Sequence, residues 1–245
     1  MGSAALAHLE GLLQARKLDS TLLRAWLAET GAPVAATGLS ALDEALGGGW
    51  RRGELSELIG LRSSGRTSTI VQTLAAATTR GEVVGLVDAL DRFDPVSAEA
   101  AGLDLSRVLW VRGASCTAER ARPGVLERAV HQAVRALDLL IRAGGFGVVV
   151  LDVADVPALF LRALPSTTWL RLARANEGSR TACVLVGASP ISRSARGATV
   201  QLEGAARWVG DSPQSRRLGG LQIRASIGQA RRSHHASPHW VLRAS

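Results

Sequence analysis

One short segment between a predicted strand and a predicted helix limits the folds open to this chain more than any other feature. Residues 60–67 read GLRSSGRT, which reproduces the spacing G-x-x-x-x-G-K-[ST] except that arginine replaces the lysine. An apolar strand is predicted just before this segment and a helix, from about residue 67 to 79, just after it. In such a loop, backbone N–H groups turn toward phosphate oxygens and the start of the helix adds partial positive charge. The sequence therefore predicts a phosphate-binding loop in an α/β fold.

The chain after residue 37 alternates short apolar segments with helical ones. Strands are predicted at residues 54–60, 82–88, 108–112, 148–152 and 180–187. The last two have the unbroken apolar character of strands that are buried on both faces of a parallel sheet. The strongest helix is predicted at 125–143, and short strands with turns follow at 207–209, 221–227 and 240–242. We expect a mostly parallel sheet flanked by helices, with antiparallel strands added at its C-terminal edge.

The first part of the chain has a different pattern. Leucines recur on one helical stripe, at Leu6, Leu9, Leu12 and Leu13, and a second short helix is predicted after Ser20. A glycine and a proline then indicate a linker. We expect a helical segment and linker at 1–36 and a core domain at 37–245. The leucine stripe packs either on this chain's own core or on a partner protein, because such short helices are unstable alone in water.

Composition and charge restrict the classes of function. A hydrophobic fraction of 47% and a mean hydropathy of +0.14 are typical of a folded globular protein. The net charge of +8 indicates anionic partners, with nucleic acid first. Almost all of this charge is arginine, scattered along the chain, so the alternative of a solvated basic surface stays open. No membrane span or secretory signal is evident, which favours the cytoplasm, and we expect Cys116 and Cys183 to be reduced, buried thiols.

Candidate nucleotide ligands surround the predicted loop. Thr67 has the place of the hydroxyl that holds Mg²⁺, and Asp152 ends an apolar strand where a second Mg²⁺-supporting carboxylate is expected. Arg66 keeps the positive charge of the missing lysine but is longer and planar, so it cannot occupy the compact position of a lysine between two phosphates. The full candidate set is Gly60, Ser63, Ser64, Gly65, Arg66, Thr67, Ser68, Asp94 and Asp152.

A longer stretch of the sequence resembles the opening of the RecA core. Residues 37–49 and 52–60 combine a threonine-glycine pair, a leucine-aspartate pair, a glycine-rich turn and the strand that enters the loop. Ser63-Ser64-Gly65 matches the RecA loop, and the pairs at 88–89, 94–95 and 103–104 resemble the RecA segment that carries its catalytic glutamate and adenine contacts. The similarity extends to about residue 242, without the RecA C-terminal domain. It implies a RecA-type ATPase core.

The same resemblance implies that several ATPase residues are replaced. Leu90 stands at the position of the catalytic glutamate, Ala188 near that of the glutamine that senses the γ-phosphate, and Ser97 at that of the aromatic residue that stacks on adenine. Asp94 keeps the carboxylate that contacts the adenine amine. Losing such groups costs orders of magnitude in rate, with an arginine finger alone contributing about 10³–10⁵. We therefore expect no efficient ATP hydrolysis, no required cofactor, and at most weak binding of ATP with Mg²⁺.

The regions that bind DNA in RecA are also reduced. The stretch between Asp152 and Trp169 is much shorter than the RecA segment with the first DNA-binding loop, and the second loop is reduced to residues 189–197. The lysines that RecA extends to the ATP of its neighbour are missing near residues 228–230, although Arg231 and Arg232 follow. The candidate residues for sequence-independent DNA binding are Arg193, Arg196, Arg216 and Arg217.

This combination of features resembles the ImuA group of RecA-like accessory proteins. Membership implies a non-catalytic role in SOS-induced, error-prone translesion synthesis in the bacterial cytoplasm, at the nucleoid. The implied partners are the polymerase-like ImuB, an error-prone DnaE-type polymerase complex and RecA, with the leucine stripe as the contact surface. Two alternatives stay open: a functional DNA-dependent ATPase of the RecA family, and a SulA-like inhibitor of cell division.

Overall fold

The computed structural model describes residues 33–115, 124–192, 197–212, 214–229 and 238–243. Its strands are β1 (Val34–Ala35), β2 (Trp50–Arg51), β3 (Leu55–Gly60), β4 (Val84–Asp88), β5 (Val108–Arg112), β6 (Val148–Asp152), β7 (Ala182–Gly187), β8 (Ala198–Val209), β9 (Arg217–Gln229) and β10 (His239–Arg243). Its helices are α1 (Ser40–Leu46), α2 (Arg66–Thr79), α3 (Pro95–Ala100), α4 (Val125–Ala143), α5 (Ala158–Arg162) and α6 (Ser166–Asn176), with a 3₁₀ turn at Leu105–Arg107.

Eight of these strands form one sheet in the order β10-β9-β8-β3-β7-β6-β4-β5. The six strands from β8 to β5 are mutually parallel, whereas β9 runs antiparallel to β8 and β10 antiparallel to β9. The fold class expected from the sequence, a mostly parallel sheet with antiparallel strands at one edge, is confirmed. Parallel neighbours also bring the carboxyl ends of β3, β4 and β6 to the same edge of the sheet, where ligands bind in open α/β folds.

The burial of the central strands follows from their composition. Every residue of β3, β4 and β7 is buried, because helices cover both faces of the sheet. Two apolar clusters result, one on each face. Helix α2 contributes Leu74 and Ile70 to the first, and helix α4 contributes Leu137 and Val130 to the second. This packing holds the start of α2 at the carboxyl end of β3.

The element boundaries agree closely with the sequence for local elements and poorly for the C-terminal hairpin. The predicted bounds of α4, β5 and β6 are confirmed, and α2 begins at Arg66, one residue earlier than expected. The expected short strands at 207–209 and 221–227 are wrong in extent, because each is one part of a long strand in the β8–β9 hairpin. Cys183 is a buried free thiol, as expected, and burial raises its pKa to about 12. Cys116 lies outside the described residues.

The segments that carry two groups of predictions also lie outside the described residues. They contain the leucine stripe (Leu6, Leu9, Leu12 and Leu13) and the two loop arginines (Arg193 and Arg196). Across the ranges that are described, none of the helices combines the length and the apolar character that crossing a bilayer requires.

Candidate functional site

The loop between β3 and α2 has the backbone conformation that a phosphate cradle requires. Ser63 and Gly65 adopt positive φ angles, of 60° and 91°, which turn the chain sharply before α2 begins. A Cβ atom on Gly65 would lie 2.2 Å from Cδ1 of Ile223 on β9, and one on Gly60 would lie 2.5 Å from Oγ of Ser64. Both positions therefore require glycine, one for its φ angle and close packing, the other for close packing alone.

Arg66 opens helix α2 and points into the protein. Only 8% of its surface is exposed, and its Nη1 has no hydrogen-bond partner among the described residues. Burial lowers the pKa of Arg66, and the negative charges of Asp152 and Asp155 oppose that shift. Arginine nevertheless stays protonated at neutral pH. The loop thus contains a buried positive charge at its centre, beside carboxylates.

Two carboxylates of the site, Asp88 and Asp152, end adjacent strands. Asp88 at the end of β4 pairs in register with Asp152 at the end of β6. Asp88 accepts a hydrogen bond from the Phe93 N–H at 2.8 Å, and Asp152 accepts one from the Ala154 N–H at 2.9 Å. Burial raises the pKa of Asp152 to about 6, which the Ala154 N–H opposes and the nearby charge of Asp88 reinforces. The site therefore contains a carboxylate that titrates close to neutral pH.

A small cavity of about 80 Å³ lies between the start of α2 and the ends of β4 and β6. Its polar lining includes Arg66, Thr67, Asp88 and Asp152, and its apolar lining includes Leu90. Leu90, two residues after the end of β4, is 3% exposed. It contributes an apolar surface to the cavity and no ionisable group. Typical small-molecule sites measure about 300–1,000 Å³. The cavity is therefore much smaller than a site that encloses a whole ligand.

An ion pair joins the loop to the segment after β6. Arg62 Nε lies 3.3 Å from Oδ1 of Asp155, and the Arg62 side chain is 77% exposed. Exposed pairs of this kind contribute about 0–1 kcal/mol. The contact therefore orients the two segments around the cavity more than it stabilises the fold.

Comparison with known proteins agrees with this architecture. The RecA N-terminal domain matches residues 27–163, which is more than half of the chain. The chain belongs to the RecA family. Protein RecA of Sinorhizobium fredii is 38% identical over 128 residues, covering 52% of this chain and 31% of the relative. Protein RecA of Methylococcus capsulatus is 39% identical over 120 residues, covering 49% of this chain and 30% of the relative.

A third relative shows the same partial coverage. Protein RecA of Chlorobaculum tepidum is 34% identical over 120 residues, or 49% of this chain and 31% of the relative. The RecA-family chain thus spans about a third of the length of the curated relatives that it matches. The matched part includes the phosphate loop and the ends of β4 and β6.

The structure brings most of the predicted nucleotide residues together at this RecA-family loop. Residues 60–68 form the loop and the first turn of α2, and Asp152 faces them across the cavity. Asp94 lies apart from the cavity. It caps α3, where its carboxylate accepts hydrogen bonds from the Val96 N–H at 3.1 Å and from the Ser97 hydroxyl. These bonds lower the pKa of Asp94. The two predicted DNA residues within the described ranges, Arg216 and Arg217, are exposed at the far end of the hairpin.

Glu57 is a residue of this region that the sequence reasoning missed. It lies on β3 and is 1% exposed, yet both of its carboxylate oxygens are used. One oxygen accepts the N–H groups of Ile191, at 2.9 Å, and Ser192, and the other accepts the Thr199 hydroxyl at 3.2 Å. Glu57 therefore attaches both flanks of the loop after β7 to the strand that enters the phosphate loop. The sequence feature that could have indicated this role is a glutamate within a strand that is predicted to be buried.

Proposed function

We propose that this RecA-family chain is a non-catalytic accessory protein of SOS-induced, error-prone translesion DNA synthesis. It acts through contacts with a polymerase-like partner of the ImuB type, with RecA, and with DNA. The observation that carries this proposal is the chemistry of the cavity, where Leu90 lies beside Asp88 and Asp152. A leucine there cannot take a proton from an attacking water, which is the step that hydrolysis of a phosphate bond requires.

Arg66 supports the same reading. Its guanidinium is buried beside two aspartates, so its charge is partly neutralised within the protein. A P-loop lysine instead directs its ammonium at the β- and γ-phosphates. ATP and Mg²⁺ would meet the loop amides, Thr67 and Asp152, which fit a weakly bound nucleotide, and no reaction follows from these groups.

The Arg216–Arg217 pair supports the DNA contact. Both side chains are exposed where β9 begins, and the chain carries a net charge of +8. Exposed arginines of this kind bind phosphates without reading sequence. The DNA contact is therefore expected to be independent of sequence and sensitive to salt.

The test of the proposal is ATP turnover by the purified full chain, with and without single-stranded DNA. We expect no turnover above background, for the wild type and for Arg66→Lys, because Leu90 and Ala188 still replace polar groups. Turnover near the ordinary enzymatic range, about 1 s⁻¹ or faster, would show that the chain is an active ATPase.

A functional ATPase of the RecA family is the second candidate. It is favoured by the intact cradle, in which Gly60, Gly65 and Thr67 keep their places and Asp152 ends the facing strand. The turnover assay separates the two candidates directly. Adjacent genes for an ImuB-like protein and a DnaE-type polymerase would independently support the accessory role.

A further inference from the structure

The outer half of β8 has an open edge. β8 pairs with β9 along its whole length but with β3 only as far as Leu202. Beyond that point, no strand among the described ranges pairs with the other side of residues 203–209. The phosphate loop passes over the beginning of this edge, since a Cβ atom on Gly204 would lie 2.4 Å from the Ser63 carbonyl oxygen. Alternate backbone N–H and C=O groups from Ala205 onward therefore face outward.

The open edge is regular and carries little of the protection that edge strands usually have. Arg207 pairs with Gly220 and Trp208 pairs with Leu218, so the extra residue of the bulge, Gly219, lies in β9 and leaves β8 undistorted. Proteins usually protect an exposed edge with charged side chains, lysine above all, or with proline, a bulge in the edge strand, or a very short strand. Residues 203–209 read EGAARWV and contain neither proline nor lysine, and their only charged residues are Glu203 and Arg207. Such an edge is a template for one more strand.

The side chains along this edge are suited to a strand with large apolar residues. Trp208 is 58% exposed and Val209 is 42% exposed, and Leu218 across the ladder from Trp208 is 49% exposed. Ala205 and Ala206 precede them and leave room for larger side chains on an added strand. Cross-strand pairs between large apolar residues stabilise a sheet, and they would cover Trp208.

Charge indicates the kind of partner. Arg207 is exposed on the open strand itself, and Arg216 and Arg217 follow at the same end of the hairpin. Two copies of the chain would each carry a net charge of +8 and bring their exposed hairpin arginines close together, which disfavours edge-to-edge pairing of two copies even though Glu203 can face Arg207 in one antiparallel register. An acidic strand is complementary instead.

We propose that residues 205–209 of β8 dock an extended segment of a partner protein by strand addition. The segment alternates large apolar residues, which cover Ala206 and Trp208, with an acidic residue opposite Arg207. Backbone hydrogen bonds to the open edge supply affinity and the alternating side chains supply specificity. This inference deepens the proposed accessory role, because it names a surface for the partner contact.

The experiment selects a library of random twelve-residue peptides for binding to the full chain. Enriched peptides are expected to alternate apolar and acidic residues, and to slow hydrogen exchange at the outward-facing amides of residues 205–209. Arg207→Glu and Trp208→Ala should each weaken their binding by about fivefold, the size of a lost cross-strand pair. Arg171→Glu, which makes the same charge change on an exposed part of α6, should leave binding unchanged.

Three outcomes would overturn the proposal. They are the absence of any enriched peptide, equal binding by both β8 variants, and a thymidine oligonucleotide that binds and depends on Trp208 when peptides do not. The last outcome would assign the edge to nucleic acid. Both β8 side chains are exposed, so the variants should fold, and circular dichroism checks this. The selection uses neither ATP nor a polymerase, so its result is independent of the turnover assay.

Discussion

Glu57 offers a sharp test of how the phosphate-loop strand holds the segment after β7. The change Glu57→Ala removes the acceptor for two backbone N–H groups, of Ile191 and Ser192, and for the Thr199 hydroxyl. A buried donor left without a partner costs about 1–3 kcal/mol. Two amides give about 2–6 kcal/mol, and the hydroxyl adds less because it can rotate toward another acceptor.

An opposing effect reduces this loss. A carboxylate that is 1% exposed is itself expensive to desolvate, and alanine removes that cost. We therefore expect Glu57→Ala to lower the free energy of unfolding by about 2–4 kcal/mol, a large part of the 5–15 kcal/mol of an ordinary domain. Glu57→Gln keeps one oxygen for both amides and an N–H group for Thr199, so it should lose about 1 kcal/mol or less.

Denaturant unfolding of the full chain measures both values, with Glu99→Ala on the exposed side of α3 as the control. Hydrogen exchange supplies a local readout. The amides of Ile191 and Ser192 should exchange much faster in Glu57→Ala than in Glu57→Gln. A loss below about 1 kcal/mol in the alanine variant, with unchanged exchange at these amides, would refute the reasoning about buried donors.

Three further predictions follow from the site and the hairpin. Asp152 has a folded pKa of about 6, raised from 3.8, so the folded state binds more protons between these values and its stability falls as pH rises through them. The free energy of unfolding of Asp152→Asn minus that of the wild type should therefore increase by up to about 2–3 kcal/mol from pH 4 to pH 7, as measured by denaturant unfolding. An equal difference at both pH values would contradict this. Gly65→Ala should destabilise the fold by roughly 2–4 kcal/mol, and Gly81→Ala, with a similar φ of 82° but open space around it, by only about 1 kcal/mol. Neutralising Arg216 and Arg217 together should flatten the slope of log K against log salt for DNA by about 1.4–1.8, and an unchanged slope would mean that both are only solvated.

The elements that the sequence predicted well are those whose signal is local. β6 consists of a continuous apolar run ended by Asp152, and α4 repeats apolar residues with helical spacing over its full length. Each pattern depends on neighbours within a few residues. The signal of the phosphate loop is also local, because the spacing of its glycines and Thr67 is legible within eight residues, although Gly65 also packs closely against Ile223 of β9.

The elements that were mispredicted depend on distant residues. The outer part of β8 contains Gly204, Ala205 and Ala206, which have little preference for strands, and only pairing with β9 makes the segment extended. Glu57 finds its partners more than 130 residues away, at Ile191 and Ser192, so its role is invisible along the chain. Such long-range contacts become apparent only when the sheet order is known.

Asp94 has a structural role beside the nucleotide contact that the resemblance to RecA implies. The following Pro95 starts a helix and makes Asp94 its N-cap. Capping uses the carboxylate for the Val96 N–H and the Ser97 hydroxyl, where a stacking aromatic residue would have stood. The serine at the position of that aromatic residue therefore gives Asp94 a hydrogen-bond partner within the chain, and the adenine contact of Asp94 stays a prediction.

The buried arginine gives the phosphate loop a role in the fold that does not require hydrolysis. The positive charge of Arg66 lowers the pKa of Asp152, whereas the negative charges of Asp88 and Asp155 raise it. Replacing Arg66 with methionine would remove the buried cation that favours the ionised form of Asp152, while burial and the charges of Asp88 and Asp155 would still favour its protonated form. The pKa of Asp152 would then rise further, and the fold would lose stability at neutral pH but not at acidic pH. A cation at the start of α2 is therefore expected to stabilise this fold at neutral pH whether or not ATP is hydrolysed, and arginine stays protonated there despite its burial.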